Sequence, residues 1–350
     1  MWLRDYRLDG LRLDAVHAIL DHSAVHFLEQ LATEVAQFSK DIGRDLTIIA
    51  ESDLNDPRLI RPIEKCGYGL DAQWSDDIHH AVHVVLTQER RGYYEDFAGM
   101  DHLAAAMASP YVYAGDYSRH RGRRHGRPPN DLTPDRFVVY LQNHDQVGNR
   151  AQGERITQLV GLDLARIGAA IVLLSPYVPL IFQGEEWGAS SPFLFFVNFA
   201  SEPDLAANVL KGRQREFAAF GWEQSEIPSP NSTDTFHRSK LIWDELLQPA
   251  HREMFDWYRS LIALRSGHCF QASLRAPPNI RFDDKENWLA IERGGLVIAS
   301  NFSSQALRIP LRNAGEHKIL ICSGFPGAFG REFVDVPSKS VVVLEKFPRA

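Results

Sequence analysis

The sequence predicts an α/β protein, a partial TIM (β/α)8 barrel followed by a small C-terminal antiparallel β-domain. Three observations support this fold class. Short apolar runs alternate with stretches of helical periodicity over the first part of the chain. Several of these runs end in a carboxylate, at the strand end where such barrels carry catalytic groups. From about residue 267 short β-rich runs dominate, punctuated by glycine and proline. We therefore predict domains at residues 1–266 and 267–350.

Five stretches of the first domain have strand character, whereas a closed barrel of this class has eight strands. The predicted strands are residues 11–14, 47–50, 70–74, 137–141 and 178–182. The predicted helices are residues 25–38, which Ser23 can cap, and residues 77–86, 101–108, 154–174, 204–220 and 250–265. The apolar stretch from Ile167 to Phe182 is interpreted as a buried helix followed by a buried strand. Residues 113–134 are rich in glycine, proline, arginine and histidine, which predicts a long loop.

The second domain is predicted to be built from short antiparallel strands. Its predicted strands are residues 279–282, 288–292, 297–302, 318–322 and 341–345.

Three of the predicted barrel strands run into carboxylates. Asp14 ends the first strand, Glu51 follows the second, and Asp145 lies just after the strand at residues 137–141. A single aspartate after a strand is most often a turn or helix-capping residue. Three such carboxylates with Arg12 and His144 beside them favour a catalytic site.

The same residues carry a resemblance to a known family. Residues 9–17, Ala50-Glu51-Ser52 and Asn143-His144-Asp145 resemble three signature regions of the α-amylase family, glycoside hydrolase family 13. Residues 11–19, 50–58, 68–80, 142–150 and 184–190 are similar to the trehalohydrolase members of that family. The family's first signature region is absent, as is the N-terminal β-domain of those members. The resemblance therefore covers their C-terminal portion, with about strands 4 to 8 of the barrel.

The resemblance implies a retaining glycoside hydrolase without a cofactor or a metal. Asp14 would be the nucleophile, Glu51 the acid/base and Asp145 a third carboxylate that favours the distorted sugar ring, with the reacting carboxyls about 5 to 5.5 Å apart. Arg12 would hold Asp14 ionised. The residues implied in substrate binding are Arg12, His17, Asp76, Asp77, His79, His80, Asn143, His144, Gln146 and Asn149.

The implied substrate is maltooligosyl trehalose, cleaved at the α-1,4 bond next to its trehalose end, or a related α-glucan oligosaccharide. Another glucan hydrolase or a branching enzyme of the same family is the alternative. A second alternative is an inactive fragment, since five parallel strands alone leave two sheet edges unpaired. We accordingly expect little activity from residues 1–350 alone.

Two other kinds of site are less well supported. His79 and His83 share a helix face, which suggests a metal, but the glutamate of the metalloprotease motif does not lie between them. His83 is interpreted as structural. The arginines between Arg119 and Arg127 suggest nucleic acid, but only Tyr117 is nearby for base stacking. We favour a solvated loop that pairs with site carboxylates or binds sugar.

Bulk properties favour an ordinary globular protein. The formal net charge of −7 argues against a polyanionic partner such as nucleic acid. Three widely spaced cysteines imply no disulfide framework, so a cytoplasmic location is expected. Neither a signal peptide nor a long enough apolar run is recognised, so no membrane association is expected. The sequence does not indicate an oligomeric state.

Overall fold

The computed structural model describes residues 1–219, 227–274, 276–312, 315–325 and 327–347. The described chain forms two compact units, and each is treated by itself. The first unit comprises Met1–His80, Ala105–Val139 and Ser175–Pro179, and the second comprises Ala81–Ala104, Tyr140–Leu174 and Leu180–Ala350. The predicted domain boundary at residues 266 and 267 stays a prediction.

A parallel sheet of five strands carries the predicted barrel strands. The strands up to the end of this sheet are β1 (Gly10–Leu13), β2 (Thr47–Ala50), β3 (Ala72–Trp74), β4 (Tyr117–Ser118), β5 (Arg123–Arg124), β6 (Phe137–Tyr140) and β7 (Val178–Leu180). The sheet order is β1-β2-β3-β6-β7, so its strands are neighbours in the order of the chain. This arrangement confirms the predicted partial barrel. Among the described residues, β1 and β7 are its edges.

Nine α-helices are described, besides several short 3-10 helices. They are α1 (Phe27–Ile42), α2 (Asp76–Thr87), α3 (Gly99–Ala108), α4 (His144–Gly148), α5 (Ile156–Leu173), α6 (Pro203–Ala219), α7 (Thr233–Arg238), α8 (Pro249–Ser266) and α9 (His268–Ser273). All six helices predicted in the first domain are present. Phe220, the predicted end of the fifth of them, lies outside the described residues.

Local details of the sequence prediction need correction. His26, not Ser23, caps α1, because its Nδ1 accepts the Leu28 N–H at 3.1 Å. The predicted loop at residues 113–134 contains the β4–β5 hairpin. Strand β7 is not buried, since Val178 is 40% exposed, as an edge strand allows. In α5, Gly161 has φ 78° and ψ 170°, so the predicted single helix is broken there.

Helix α5 is the most apolar of the long helices. Among the described helices it alone is long and apolar enough to cross a membrane by length and composition, which corrects the expectation that no such run exists. Half of its residues are buried within the protein. A buried core helix passes the same test, so this is weak evidence for a membrane span.

Residues 279–347 contain the predicted antiparallel sheet. Its strands and two additional short ones are β8 (Asn279–Asp283), β9 (Trp288–Arg293), β10 (Leu296–Asn301), β11 (Leu307–Pro310), β12 (Glu316–Cys322), β13 (Phe333–Val336) and β14 (Ser340–Phe347). The main sheet has the order β12-β14-β10-β9-β8, while β11 pairs with β13. Alternating side chains such as Val297, Ala299, Val342 and Leu344 form its core. The five predicted strands are confirmed, and β11 and β13 were missed.

Two helical glycines give a matched test of core packing. A Cβ at Gly168 in α5 would lie 2.7 Å from Leu141 Cδ1 and 2.9 Å from Leu86 Cδ1, whereas at Gly212 in α6 it would meet nothing within 4 Å. Overpacking costs about 1–3 kcal/mol, so Gly168→Ala should lower the unfolding temperature by several degrees. Gly212→Ala should leave it unchanged or raise it slightly, because alanine favours helix by about 1 kcal/mol. Thermal denaturation measures both, and equal stability of the two variants would contradict the packing described for α5.

Candidate active site

The first two strands of the parallel sheet end side by side. Leu13 is in register with Ala50, and the Glu51 N–H donates to the Leu13 carbonyl at 3.0 Å. The Val16 N–H in turn donates to the Glu51 carbonyl at 3.1 Å. Because Asp14 and Glu51 are the next residues after these strands, both leave the sheet at its C-terminal end, as the sequence predicts.

A strained turn follows Asp14. Ala15 has φ 42° and ψ 47°, a left-handed conformation that costs an L-residue about 1–2 kcal/mol. The turn points the Ala15 N–H at Glu51 Oε2, 2.6 Å away. Backbone strain is therefore offset by a charge-assisted hydrogen bond that fixes one oxygen of Glu51.

Arg12 links the two carboxylates. Its Nη1 lies 2.6 Å from Asp14 Oδ1, and its Nη2 lies 3.6 Å from Glu51 Oε1. The guanidinium carbon sits 4.4 Å from the centre of the Trp74 ring, at the end of β3. The Asp14 side chain is 81% exposed, whereas that of Glu51 is 21% exposed. The exposed carboxyl group of Asp14 and the largely buried one of Glu51 thus contact the same arginine. Two carboxyl groups in different surroundings are suited to two different chemical roles.

A further carboxylate lies two residues after Glu51. Asp53 Oδ2 receives a hydrogen bond from Arg121 Nη2 at 2.8 Å, and its Oδ1 lies 3.9 Å from His17 Nε2. Burial alone would raise the pKa of Asp53, but Arg121, with smaller effects from His17 and His125, more than offsets this, so the pKa is lowered. The arginine-rich loop therefore pairs with a carboxylate beside the site, as one of the favoured interpretations holds.

Of the predicted sugar contacts on α2, Asp77 has a clear structural role. It is 5% exposed, and its Oδ2 accepts hydrogen bonds from Asn55 Nδ2 and the Val112 and Tyr113 N–H groups at 2.8 to 2.9 Å. Burial raises its pKa to about 6, although these three donors oppose the rise. Asp77 thus ties together the loops that follow β2 and α3.

The other predicted contacts on α2 differ in exposure. Asp76 is partly exposed, whereas His79 and His80 are buried, 1% and 8% exposed. The two imidazole rings pack edge to face, with centres 5.5 Å apart. A direct contact of Asp77, His79 or His80 with sugar stays a prediction.

In the second unit, Asn143 and Gln146 form a capping box at the start of α4. Asn143 Oδ1 accepts the Asp145 N–H at 2.8 Å, and Gln146 Oε1 accepts the Asn143 N–H at 3.1 Å. This box leaves the adjacent His144 and Asp145 side chains 46% and 45% exposed, with His144 Nε2 3.5 Å from Asp145 Oδ1. Both side chains are accessible to a ligand.

The two residues that follow α4, Asn149 and Arg150, make side-chain hydrogen bonds. Asn149 Oδ1 accepts a hydrogen bond from Arg213 Nη1 at 2.5 Å. Arg150 Nη1 donates to Glu89 Oε2 at 2.8 Å, and His83 Nε2 contacts the same oxygen at 2.9 Å. His83 is also stacked on Tyr94, with ring centres 4.2 Å apart, so the structural interpretation of His83 is confirmed.

Sequence reasoning missed a buried polar cluster. Arg155 is fully buried, and its Nε and Nη1 donate to the carbonyls of Ser191 and Gln183, both at 2.7 Å. Glu185 is 4% exposed and accepts a hydrogen bond from Tyr258 OH at 2.8 Å. Burial raises the pKa of Glu185 to about 8. These residues are far apart in sequence, so no local motif signals the cluster.

Trp187, which follows the last strand of the parallel sheet, could be expected to stack on a sugar ring, but it is buried. It is 2% exposed, its Nε1 donates to Glu245 Oε2 at 3.3 Å, and its ring packs 5.1 Å from that of Trp243. No face of Trp187 is open for stacking on a sugar ring.

In the described part of the chain, no group of three or more histidine, cysteine, aspartate or glutamate residues is arranged to hold a metal ion.

Comparison with known proteins identifies similar sequences and folds. The chain is 46% identical over 312 residues to the malto-oligosyltrehalose trehalohydrolase of Rhizobium sp. (strain M-11), covering 88% of this chain and 52% of that protein. It is 43% identical over 351 residues to the one of Arthrobacter ramosus, covering 98% of this chain and 59% of that protein. No family profile matches the chain.

A solved structure shares the fold. The crystal structure of a Salmonella typhimurium protein described as a candidate alpha amylase superposes with a TM-score of 0.85 at 35% identity, covering 99% of this chain and 58% of that one. The chain thus spans about half the length of the curated relatives it matches. The expected similarity to part of a longer enzyme is confirmed.

The ionisation of Glu185 predicts a pH dependence of stability. Its pKa of about 8 in the folded protein exceeds the ordinary value of 4.5, so between these values the folded protein retains a proton that the unfolded chain releases. The contribution of Glu185 to stability is therefore fully present below pH about 4.5 and is lost as the pH rises toward 8. Glu185→Gln cannot ionise and should flatten the decline of unfolding temperature over this window. The exposed Glu202 provides the control, and Glu202→Gln should keep the original slope. An unaltered slope in Glu185→Gln would contradict a protonated Glu185.

Proposed function

We propose that this chain, homologous over nearly all its length to about half of a malto-oligosyltrehalose trehalohydrolase, supplies the catalytic carboxylates of such an enzyme. The reaction is hydrolysis of the α-1,4 bond next to the trehalose end of maltooligosyl trehalose, which releases trehalose and a shorter maltooligosaccharide. The observation that carries the proposal is the pair Asp14 and Glu51 joined by Arg12.

The two carboxyl groups take different parts in a retaining double displacement. Asp14 is the nucleophile, since its open side chain can reach an anomeric carbon while its Oδ1 accepts a hydrogen bond from Arg12 Nη1 at 2.6 Å. Glu51 is the acid/base, which protonates the leaving oxygen and then activates the water that releases the glycosyl group. The Ala15 N–H holds Glu51 Oε2, so Glu51 Oε1 is the oxygen assigned to proton transfer.

Other residues are proposed to bind the sugar. Asp145 and His144 project accessible side chains from the start of α4, where the Asn143 capping box fixes the backbone. His17 lies beside Asp53 at the end of β1 and can donate to a sugar hydroxyl. Asn143 and Gln146 already use their side chains in capping, so we assign them to positioning rather than to direct contact.

A non-catalytic role and a different glucan-active enzyme are the competing functions. A branching enzyme or amylase of the same family would use the same carboxylate pair, so only the products distinguish them. Incubation of a protein of the relatives' full length that carries this sequence, with maltooligosyl trehalose and separately with starch, tests this. Trehalose released from the first substrate, with little attack on the second, is the expected result. Sugar binding with no bond cleavage would favour the non-catalytic role.

We further propose a reducing, cytoplasmic location, since Cys66, Cys269 and Cys322 are all unpaired. The proposed partners are α-glucan oligosaccharides, with neither nucleic acid nor a membrane.

Removing either carboxylate should abolish hydrolysis. In a protein of the relatives' full length that carries this sequence, Asp14→Asn and Glu51→Gln should each lower kcat more than about tenfold, a loss above ~1.4 kcal/mol. Binding of maltooligosyl trehalose should remain measurable. Asp9→Asn is the matched control, because Asp9 precedes the same strand with an 86% exposed side chain. Retention of more than a tenth of the rate in either variant would remove the role assigned to that residue.

Hydrolysis should not require a metal ion. Each step assigned above is carried by a carboxyl group or a hydrogen-bond donor, and none needs a Lewis acid. Dialysis of the same full-length protein against a strong chelator should leave the rate of trehalose release unchanged. A lasting loss of rate that zinc or calcium restores would contradict this mechanism.

A further inference from the structure

A cavity of about 460 Å³ lies in the second unit, and none of the residues assigned to catalysis lines it. Its walls are the segments before α6 and at the start of α7. Two phenylalanine rings and four uncharged polar side chains line it: Phe196, Phe236, Asn198, Asn231, Ser232 and Thr233. The volume and the mixture of aromatic and polar groups are those of a small-molecule site, which commonly measures about 300–1,000 Å³.

The two rings are only partly covered. Phe196 is 36% exposed and Phe236 is 41% exposed. Their centres lie 5.2 Å apart with the planes at 72°, so they form an edge-to-face corner. Aromatic surface kept at an open cavity favours contact with an apolar face of a ligand, such as the C–H face of a sugar ring.

The polar side chains keep unused hydrogen-bonding groups. Asn198 Oδ1 accepts the Ala200 N–H at 3.4 Å, and Asn231 Nδ2 donates to the Ala206 carbonyl at 3.2 Å. Within the described residues, the Asn198 amide nitrogen and the Asn231 amide oxygen make no hydrogen bond. Ser232 Oγ accepts the Asp234 N–H at 3.2 Å, which leaves its O–H proton for another acceptor. The cavity therefore presents both hydrogen-bond donors and an acceptor. Adjacent hydroxyl groups of a sugar need both, because each hydroxyl group donates and accepts.

The walls are tied together. The Val197 N–H donates to the Pro230 carbonyl at 2.9 Å, and the Leu194 N–H donates to Ser239 Oγ at 3.0 Å. Thr235 Oγ1 donates to the Ser229 carbonyl at 2.7 Å. The two segments are therefore held in place before any ligand arrives, which lowers the entropic cost of binding.

The lining also restricts the charge of the ligand. None of the lining side chains named above is ionisable, and the cation recorded beside them, Lys240 Nζ, lies over the Phe236 ring, 4.8 Å from its centre. We propose that this cavity binds glucosyl units of an α-glucan as a subsite distinct from the catalytic carboxylates. The choice of an α-glucan among neutral sugars rests on the proposed function.

Fluorine NMR tests the proposal at the cavity itself. The 350-residue chain is labelled with fluorophenylalanine, and the Phe196, Phe236 and Phe325 resonances are assigned by their loss in single Phe→Leu variants. Maltotriose should shift the Phe196 and Phe236 resonances saturably. Phe325, which is 95% exposed and does not line the cavity, should stay unshifted. Cellotriose, with the same sugar units in β-linkage, should shift none of the three.

Asn198→Ala adds a quantitative arm. It should weaken maltotriose binding, read from the Phe236 resonance, about fivefold, as expected for losing one neutral hydrogen bond of about 1 kcal/mol. Unshifted cavity resonances with maltotriose, equal shifts with cellotriose, or an unaltered affinity in Asn198→Ala would each overturn the proposal. In a protein of the relatives' full length that carries this sequence, shifts at the cavity without trehalose release would contradict the proposed function alone. Trehalose release without shifts would contradict the cavity alone.

Discussion

The parallel pairing of β1 with β2 is the interaction on which the candidate site depends. The backbone hydrogen bonds between Leu13, Val16 and Glu51 continue the ladder one step past the strands. Asp14 and Glu51, thirty-seven positions apart in sequence, are therefore neighbours. Ala15, whose backbone is left-handed, then turns the chain, and its N–H donates a hydrogen bond to Glu51 Oε2. Slipping this register by one residue would send the side chains of β1 to the opposite face and separate Arg12 and Asp14 from Glu51.

The predictable part of the site is the part encoded locally. Asp14, Glu51 and Asp145 follow apolar strands, and that pattern alone marks the C-terminal end of the sheet. The capping box of Asn143 and Gln146 is also a local pattern. It was not predicted, because the same two residues were interpreted as sugar-binding residues. The α5 break at Gly161 and the β11–β13 pair were missed because short elements and single dihedral angles leave little periodicity.

The unpredicted part depends on long-range burial. Asp53 meets Arg121, and Glu185 meets Tyr258, across sequence separations that no spacing rule covers. Burial keeps the proton on Glu185 toward pH 8, whereas at Asp53 the neighbouring charges, chiefly that of Arg121, outweigh burial and keep the carboxylate charged. A composition count treats the two carboxyl groups as equivalent, so their different behaviour becomes visible only once the fold is known.

The two edges of the parallel sheet differ in how readily they can pair with a further strand. Edge strand β7 contains Pro179, which has no N–H to offer and so discourages another strand from adding there. Edge strand β1, Gly10–Leu13, has no proline among its residues, and within the described chain only β2 pairs with it. Of the two edges, β1 is therefore the one to which a further strand can add by backbone hydrogen bonds.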